Sequence, residues 1–246
     1  MGIFLHQDSI QKNYEYWQRK PILRTLYGDF YRLIAKNLSN LPESKIVELG
    51  SGLGNIREVI PNCVRTDLFP NPWIDQVENA YRLSFTDESV SDLILTDVFH
   101  HLKYPGTALT EFFRVLRKGG RVIMLEPCIS ALGLLVYGGL HDEPIAIRKE
   151  ITWEAPEGWS PDEIDYYAGQ GNASRVFVGK RFRQKLWNWK EIETIRLSAI
   201  AYAASGGFSK LQLYPTSALP LIRKLEKVLD LFPTLFATRL LVILQK

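Results

Sequence analysis

Val47-Glu-Leu-Gly-Ser-Gly-Leu-Gly-Asn55 is the stretch whose reading decides the fold. A short apolar strand, Lys45 to Leu49, runs into glycines at 50, 52 and 54, which open a helix expected to end near Pro61. Glycines placed between strand and helix let the backbone approach a ligand closely and aim free N–H groups at it. Asp67 follows after a second strand, where a carboxylate can accept hydrogen bonds from ribose hydroxyls. A dinucleotide site would use G-x-G-x-x-G, whose third glycine lets the helix pack on the strand. Here the spacing is G-x-G-x-G, with Glu48 two residues before the first glycine. A tight strand–helix turn with no ligand is the plain alternative, and the loop alone leaves it open.

Outward from this loop, strands and helices alternate. Cys63 to Thr66 reads as a second strand, Gln76 to Asn79 as a short third, and Ser91 to Leu95 as a buried fourth. A helix over Leu109 to Leu116, stopped by Gly119-Gly120, leads to a fifth strand, Arg121 to Leu125. Before the loop, apolar residues from Ser9 to about Leu41 recur at helical spacing, and Pro21 divides them into two helices. After it, Glu191 to Ala204 reads as a helix, Phe208 to Tyr214 as a strand, Leu219 to Phe232 as a helix, and Arg239 to Leu244 as the last strand. The expected fold is α/β: a Rossmann-like, seven-stranded, mostly parallel sheet with an antiparallel last strand and helices on both faces.

Residues 128–190 fit neither neighbour. Eight acids face two bases from His141 to Tyr167, and five bases with no acid run from Lys180 to Lys190. A connection this long within a compact domain is usually functional or disordered, and its tryptophans and phenylalanines argue against disorder. It reads as a substrate cap. The chain thus divides into an N-terminal helical lid (1–41), a cofactor-binding core (42–127), the cap insertion (128–190) and a C-terminal completion of the sheet (191–246), all one domain.

Four ordered segments resemble the class I S-adenosylmethionine-dependent methyltransferases, in particular the broad group that includes the ubiquinone/menaquinone biosynthesis enzymes. They are VELGSGLG at 47–54, NAYRLSF at 79–85, SDLILTDVFHHL at 91–102 and EFFRVLRKGGRVIMLEP at 111–127. The resemblance implies S-adenosylmethionine as cofactor. Glu48, Gly50, Ser51 and Gly52 would line its methionine end, and Asp67 would hold the ribose. Asn79 would face the adenine edge with the backbone of Ala80 beside it, and Thr96 and Asp97 would lie near the sulfonium and amino group. Ser84 and Lys118 depart from the family's frequent prolines, at turn positions where local rigidity is at stake rather than cofactor contact.

Methyl transfer from a sulfonium is an in-line displacement, so positioning and water exclusion dominate, and an oxygen or nitrogen acceptor can also need a base. His100 and His101 follow the fourth strand at the carboxyl edge, where open α/β sheets bind ligands. His141 and Glu143 lie in the cap. These four are the candidate catalytic residues, a hydrogen-bonded structural histidine being the plain reading of the pair. No spacing supports a metal site. Pro127-Cys128 follows the fifth strand and reads as a small buried thiol.

Composition narrows the partners. The 30 Lys and Arg exceed the 27 Asp and Glu by only three charges, which gives no footprint for nucleic acid. Two cysteines offer no disulfide framework, the start MGIFLHQDSI turns polar at once, and no stretch has about 18 uninterrupted apolar residues. A cytoplasmic setting is expected. The basic run GKRFRQKLWNWK at 179–190 reads as a solvated face with inward aromatics. Leu219 to Phe236 is amphipathic enough for a membrane surface, but its place before the last strand favours a sheet-covering helix. The expected activity is methylation of an oxygen or nitrogen of a small or medium-sized metabolite. A non-catalytic S-adenosylmethionine-binding protein and a nicotinamide-dependent oxidoreductase are the rivals.

Overall fold

The computed structural model describes residues 3–139, 145–163 and 167–246. Seven strands form one sheet: β1 (Ile46–Leu49), β2 (Val64–Asp67), β3 (Gln76–Val77), β4 (Val90–Thr96), β5 (Leu116–Pro127), β6 (Glu191–Leu197) and β7 (Arg239–Gln245). Their spatial order is β3-β2-β1-β4-β5-β7-β6. Every pair up to β5 is parallel, and β7 runs antiparallel between β5 and β6. The Rossmann-like sheet with an antiparallel last strand is therefore as expected.

Helices α1 (Ile3–Arg19) and α2 (Pro21–Ala35) meet at Pro21, which caps the second because its missing N–H has no helical partner there. They cover one face of the sheet, with Trp17, Leu23 and Ile34 packed against Ile94, Ile123 and Leu241. Helix α3 (Pro105–Val115) covers the other face, with Leu109 and Phe112 against Leu93, Val122 and Leu244. Alternate residues of a strand point to opposite faces. The register Glu48↔Ile94 and Glu48↔Arg65 thus sends Glu48, Thr96 and Asp67 to the α1–α2 face.

Several element readings need correction. The glycine loop leads only into one 3-10 turn, Asn55–Glu58, because Gly54 is left-handed and Pro61 follows too soon for a longer helix. Helix α3 begins at Pro105, earlier than read, and ends at Val115, so Gly119-Gly120 lies inside β5 instead of stopping the helix. Glu191 to Ala204 is not one helix. Glu191–Leu197 is strand β6, whose Ile192, Thr194 and Ile195 are β-branched, and left-handed Ala199 separates it from α5 (Ile200–Ala204). Phe208 to Tyr214 forms no strand, since both sides of β7 are already taken by β5 and β6.

The insertion carries α4 (Ala131–Gly139), a π-helical turn at Ser174–Val178 and a 3-10 turn at Arg183–Leu186. Its Ile151, Phe177, Phe182 and Trp189 are buried in the α3-side core. The basic run follows its plain reading in part, its five bases exposed and Phe182 and Trp189 turned inward, but Trp187 is 81% exposed. Helix α6 (Leu219–Leu229) and the short α7 (Pro233–Phe236) complete the chain, with Leu219 and Ile222 of α6 packed against α2 and α5. Among the described residues no helix is long and apolar enough to cross a membrane.

Candidate functional site at the carboxyl edge of the sheet

Strand β1 ends in Gly50, Gly52 and Gly54, all with positive φ. A Cβ on Gly50 would sit 2.4 Å from Val98 Cγ2, and one on Gly54 would sit 2.6 Å from the Trp73 carbonyl oxygen, so packing alone demands glycine at both. Gly52 is different. A Cβ there would meet nothing within 4 Å, so the space before it is open and its glycine leaves the backbone bare. The loop is pinned to β2: Ser51 N donates to the Thr66 carbonyl at 2.8 Å, and Thr66 N donates to Ser51 Oγ at 3.2 Å. Asp67 receives the Gly52 amide on Oδ2 at 3.0 Å and the Leu68 amide on Oδ1 at 2.7 Å.

Beside this cradle lie two buried polar atoms with no hydrogen-bond partner among the described residues, Glu48 Oε2 and Thr96 Oγ1. Both belong to the same face, at neighbouring strand ends. Such orphans are rare in native interiors and call for a ligand's donors. Burial raises the Glu48 carboxyl from its ordinary value of 4.5 to about 8, with Asp67 adding to the rise and Ser51 opposing it. The folded protein thus keeps a proton that the unfolded chain gives up above 4.5, and this group's contribution to stability falls as the pH rises from 4.5 to about 8. Glu48→Gln should therefore gain stability over the native chain progressively across that window. Thermal melts at several pH values check this, and parallel curves for the two proteins would contradict it.

Asp97, at the turn after β4, is held in the left-handed region at φ 58. Its carboxylate grips Arg239 with both oxygens, one at 2.6 Å. Arg239 is 1% exposed and stacks 4.8 Å from the Tyr202 ring and 5.5 Å from Phe30. Tyr27 shares a hydroxyl hydrogen bond of 3.2 Å with Tyr202. Burial pushes both phenols above their ordinary range, so they remain neutral.

On the opposite face, Glu126 ends β5 fully buried and gathers the turn that carries the histidine pair. It accepts the amides of Val98 (2.8 Å), Phe99 (2.7 Å) and His100 (3.3 Å), and pairs with His100 Nδ1 at 2.7 Å. His100 is buried and follows the structural reading. His101 is half-buried, stacks on His100 with ring centroids 4.1 Å apart, and places Nδ1 2.9 Å from the Tyr167 carbonyl of the insertion. A carbonyl only accepts, so Nδ1 is the donor in this contact.

Asn79 is not a bare adenine-facing amide. Its Nδ2 donates to the Pro161 carbonyl of the insertion at 2.7 Å, and its Oδ1 accepts from Tyr81 N at 3.0 Å. Ala80, half-buried, packs against the α3-side core. Trp159 of the insertion sits edge-on to Tyr81 and Tyr104, 5.0 Å from each. The insertion thus docks along residues 79–82 and 100–104. His141 and Glu143 lie outside the described residues. Cys128 is free and buried, and burial raises its thiol, which disfavours a nucleophilic thiolate.

Sequence reasoning brought Glu48, Gly50, Ser51, Gly52, Asp67, Thr96 and Asp97 to one edge, and the structure gathers them there. It missed Glu126 and Arg239. Each had a signal: Glu126 is the one charge in the run VIMLEP, and Arg239 the one charge heading the apolar strand RLLVIL.

Residues 47–124 match the family model described as a methyltransferase domain. Over 88 residues, 34% of this chain, the sequence is 26% identical to probable polyketide synthase 10 of Dictyostelium discoideum, of which it spans only 4%. A crystal structure of a SAM-dependent methyltransferase from Archaeoglobus fulgidus superposes with a TM-score of 0.52 at 10% identity, covering 91% of this chain and 94% of that one. A SAM-dependent methyltransferase from Thermotoga maritima, described as a possible histamine N-methyltransferase, gives 0.48 at 14% identity, over 92% and 98% of the two chains.

Proposed function

We propose that this chain is a class I S-adenosylmethionine-dependent methyltransferase that methylates an oxygen or nitrogen on a small or medium-sized metabolite. Methyl transfer and S-adenosylmethionine as cofactor rest on the likeness of residues 47–124 to the methyltransferase domain model. The acceptor and the residue roles rest on the geometry of the site.

The observation that carries it is the pairing of an open glycine cradle at Gly52 with the unpartnered Glu48 Oε2 in the same buried corner. When bound, S-adenosylmethionine supplies an electrophilic methyl group on sulfur and a cationic amino group. Glu48 would face that amino group and yield its proton as the cation arrives, because an adjacent positive charge favours the carboxylate. Asp67 would hold the ribose hydroxyls while keeping the Gly52 amide. Thr96 would fill the remaining polar contact, and Ser51 would keep the loop in register with β2. Asn79 and Ala80 would border the adenine, Asn79 by holding the insertion over it and not by direct contact. Asp97, gripped by Arg239, would shape the turn leading to the histidines. His101 is the base for an acceptor O–H or N–H, oriented by the Tyr167 carbonyl, and His100 positions it through Glu126. The helical lid 1–41 and the cap 128–190 would exclude water.

Calorimetric titration with S-adenosylhomocysteine tests the cofactor half. Asp67→Ala should weaken binding by roughly tenfold to a hundredfold, as expected for lost charge-assisted hydrogen bonds. Equal affinity in folded variant and parent would remove Asp67 from the site. An acceptor screen tests the other half. On the acceptor found, His101→Gln should lower kcat by about a hundredfold with S-adenosylhomocysteine affinity unchanged. Unchanged turnover would leave His101 a structural residue.

A further inference from the structure

Helix α6 is built inside out. A surface helix ordinarily turns its apolar stripe inward and its charges to water. Here the two acids of the segment turn inward, Glu226 accepting the Ala201 amide at 2.7 Å and Asp230 accepting the Ser198 amide at 2.7 Å, while Arg223 pairs with Asp29 of α2. The apolar stripe faces solvent. Leu221, Leu225, Val228, Leu231, Phe232 and Leu235 are all exposed, Leu221 at 71% and Leu231 at 73%. Positions 221, 225 and 228 keep the i, i+4, i+7 spacing of one face of α6.

The patch continues onto α4. Ser130 Oγ, just before that helix, donates to the Leu235 carbonyl at 3.3 Å, and Leu134 and Leu135 of α4 are also exposed. A contiguous apolar surface of this extent on a soluble fold marks an interaction site. Its location is specific. Helix α4 follows the carboxyl end of β5, and α7 precedes the start of antiparallel β7, so both lie at the edge of the sheet that holds the glycine loop.

We propose that this α4–α6–α7 surface docks on an anionic lipid bilayer, with the apolar stripe in the interface and Lys224 and Lys227 among the headgroups. Charge complementarity selects that occupant. The two lysines are the exposed charges of segment 219–236, while both of its acids are turned inward onto backbone amides. In a two-fold pairing with a second copy the same segment would offer its lysines no exposed acid. An apolar stripe flanked by lysines is instead the pattern of helices that lie in a membrane interface.

The test is co-sedimentation of the full chain with vesicles of phosphatidylcholine containing phosphatidylglycerol, and with vesicles of phosphatidylcholine alone. The native chain should pellet with the anionic vesicles, and added salt should weaken this. Lys224→Glu with Lys227→Glu should lower partitioning on the order of tenfold. Leu225→Glu with Val228→Glu should lower it by roughly a hundredfold. These positions are exposed, and circular dichroism with S-adenosylhomocysteine titration verifies that each variant is folded, separately from the docking. No pelleting of folded native chain would overturn the proposal, as would pelleting that both variants retain. A dimer in sedimentation analysis that Leu225→Glu/Val228→Glu dissociates, without vesicle binding, would overturn it too and give the patch to a second copy.

Discussion

Arg239→Met should cost about 3–5 kcal/mol of stability, the usual consequence of removing one partner of a buried ion pair. At this chain length that corresponds to a fall in Tm of roughly 6–20 °C. Three contributions are lost together. Asp97 loses a two-pronged charge-assisted grip, the Tyr202 and Phe30 rings lose a cation on their faces, and Asp97 keeps its left-handed backbone without the partner that offsets the strain. The geometry also sets the order of a variant series. Arg239→Lys keeps the charge but not the fork, so it should fall between native and Met. The double variant Asp97→Asn/Arg239→Met should be more stable than Arg239→Met alone, because no unpaired carboxylate is left. Equal melts for the single and double variants would show that the pair contributes through packing and not through charge.

The second large effect is expected at Glu126. Its carboxylate is the common acceptor for three consecutive backbone amides and His100 Nδ1, those of Phe99 and His100 fully buried. Glu126→Ala leaves those donors stranded, and each stranded buried donor costs about 1–3 kcal/mol. Partial relaxation keeps the total below the sum, at roughly 4 kcal/mol. Hydrogen exchange localises the effect. The amides of Val98, Phe99 and His100 should be protected in the native chain and exchange fast in the variant, while the amides of β4 stay protected. Uniform loss of protection would mean global destabilisation without a special role for this turn. Glu126→Gln should lie between, because an amide offers one acceptor oxygen where the carboxylate offers two.

The sequence brought the glycine loop and its neighbouring polar residues to one edge because that part of the candidate site is local. A strand end, three glycines and an acid after the next strand are separated by few residues, and parallel strands in register must bring Glu48, Asp67 and Thr96 to one edge. The insertion was visible as a span too long and too aromatic for a plain connection, but not its docking through Trp159 and Asn79. The C-terminal third was read less well for a physical reason. Glu191–Leu197 carries isoleucines at positions that suit a helix or an edge strand, and only pairing with β7 decides between them. Phe208 to Tyr214 has a strand's alternation, but the place beside β7 is already filled by β6.

By itself, then, the sequence determined the sheet's parallel core, the glycine cradle and the residues around it, because backbone conformation and side-chain period act over a few neighbouring residues. Tertiary structure decided what depends on distant partners. Asp97 meets Arg239 and Tyr27 meets Tyr202 across more than 140 residues. Glu126 closes on a turn 26 to 28 residues earlier. Glu226 of α6 and Asp230 after it turn inward onto the Ala201 and Ser198 amides, while Leu221 and Leu225 face solvent. An amphipathic pattern states that a helix has two faces, and only the packed neighbours settle which one turns inward.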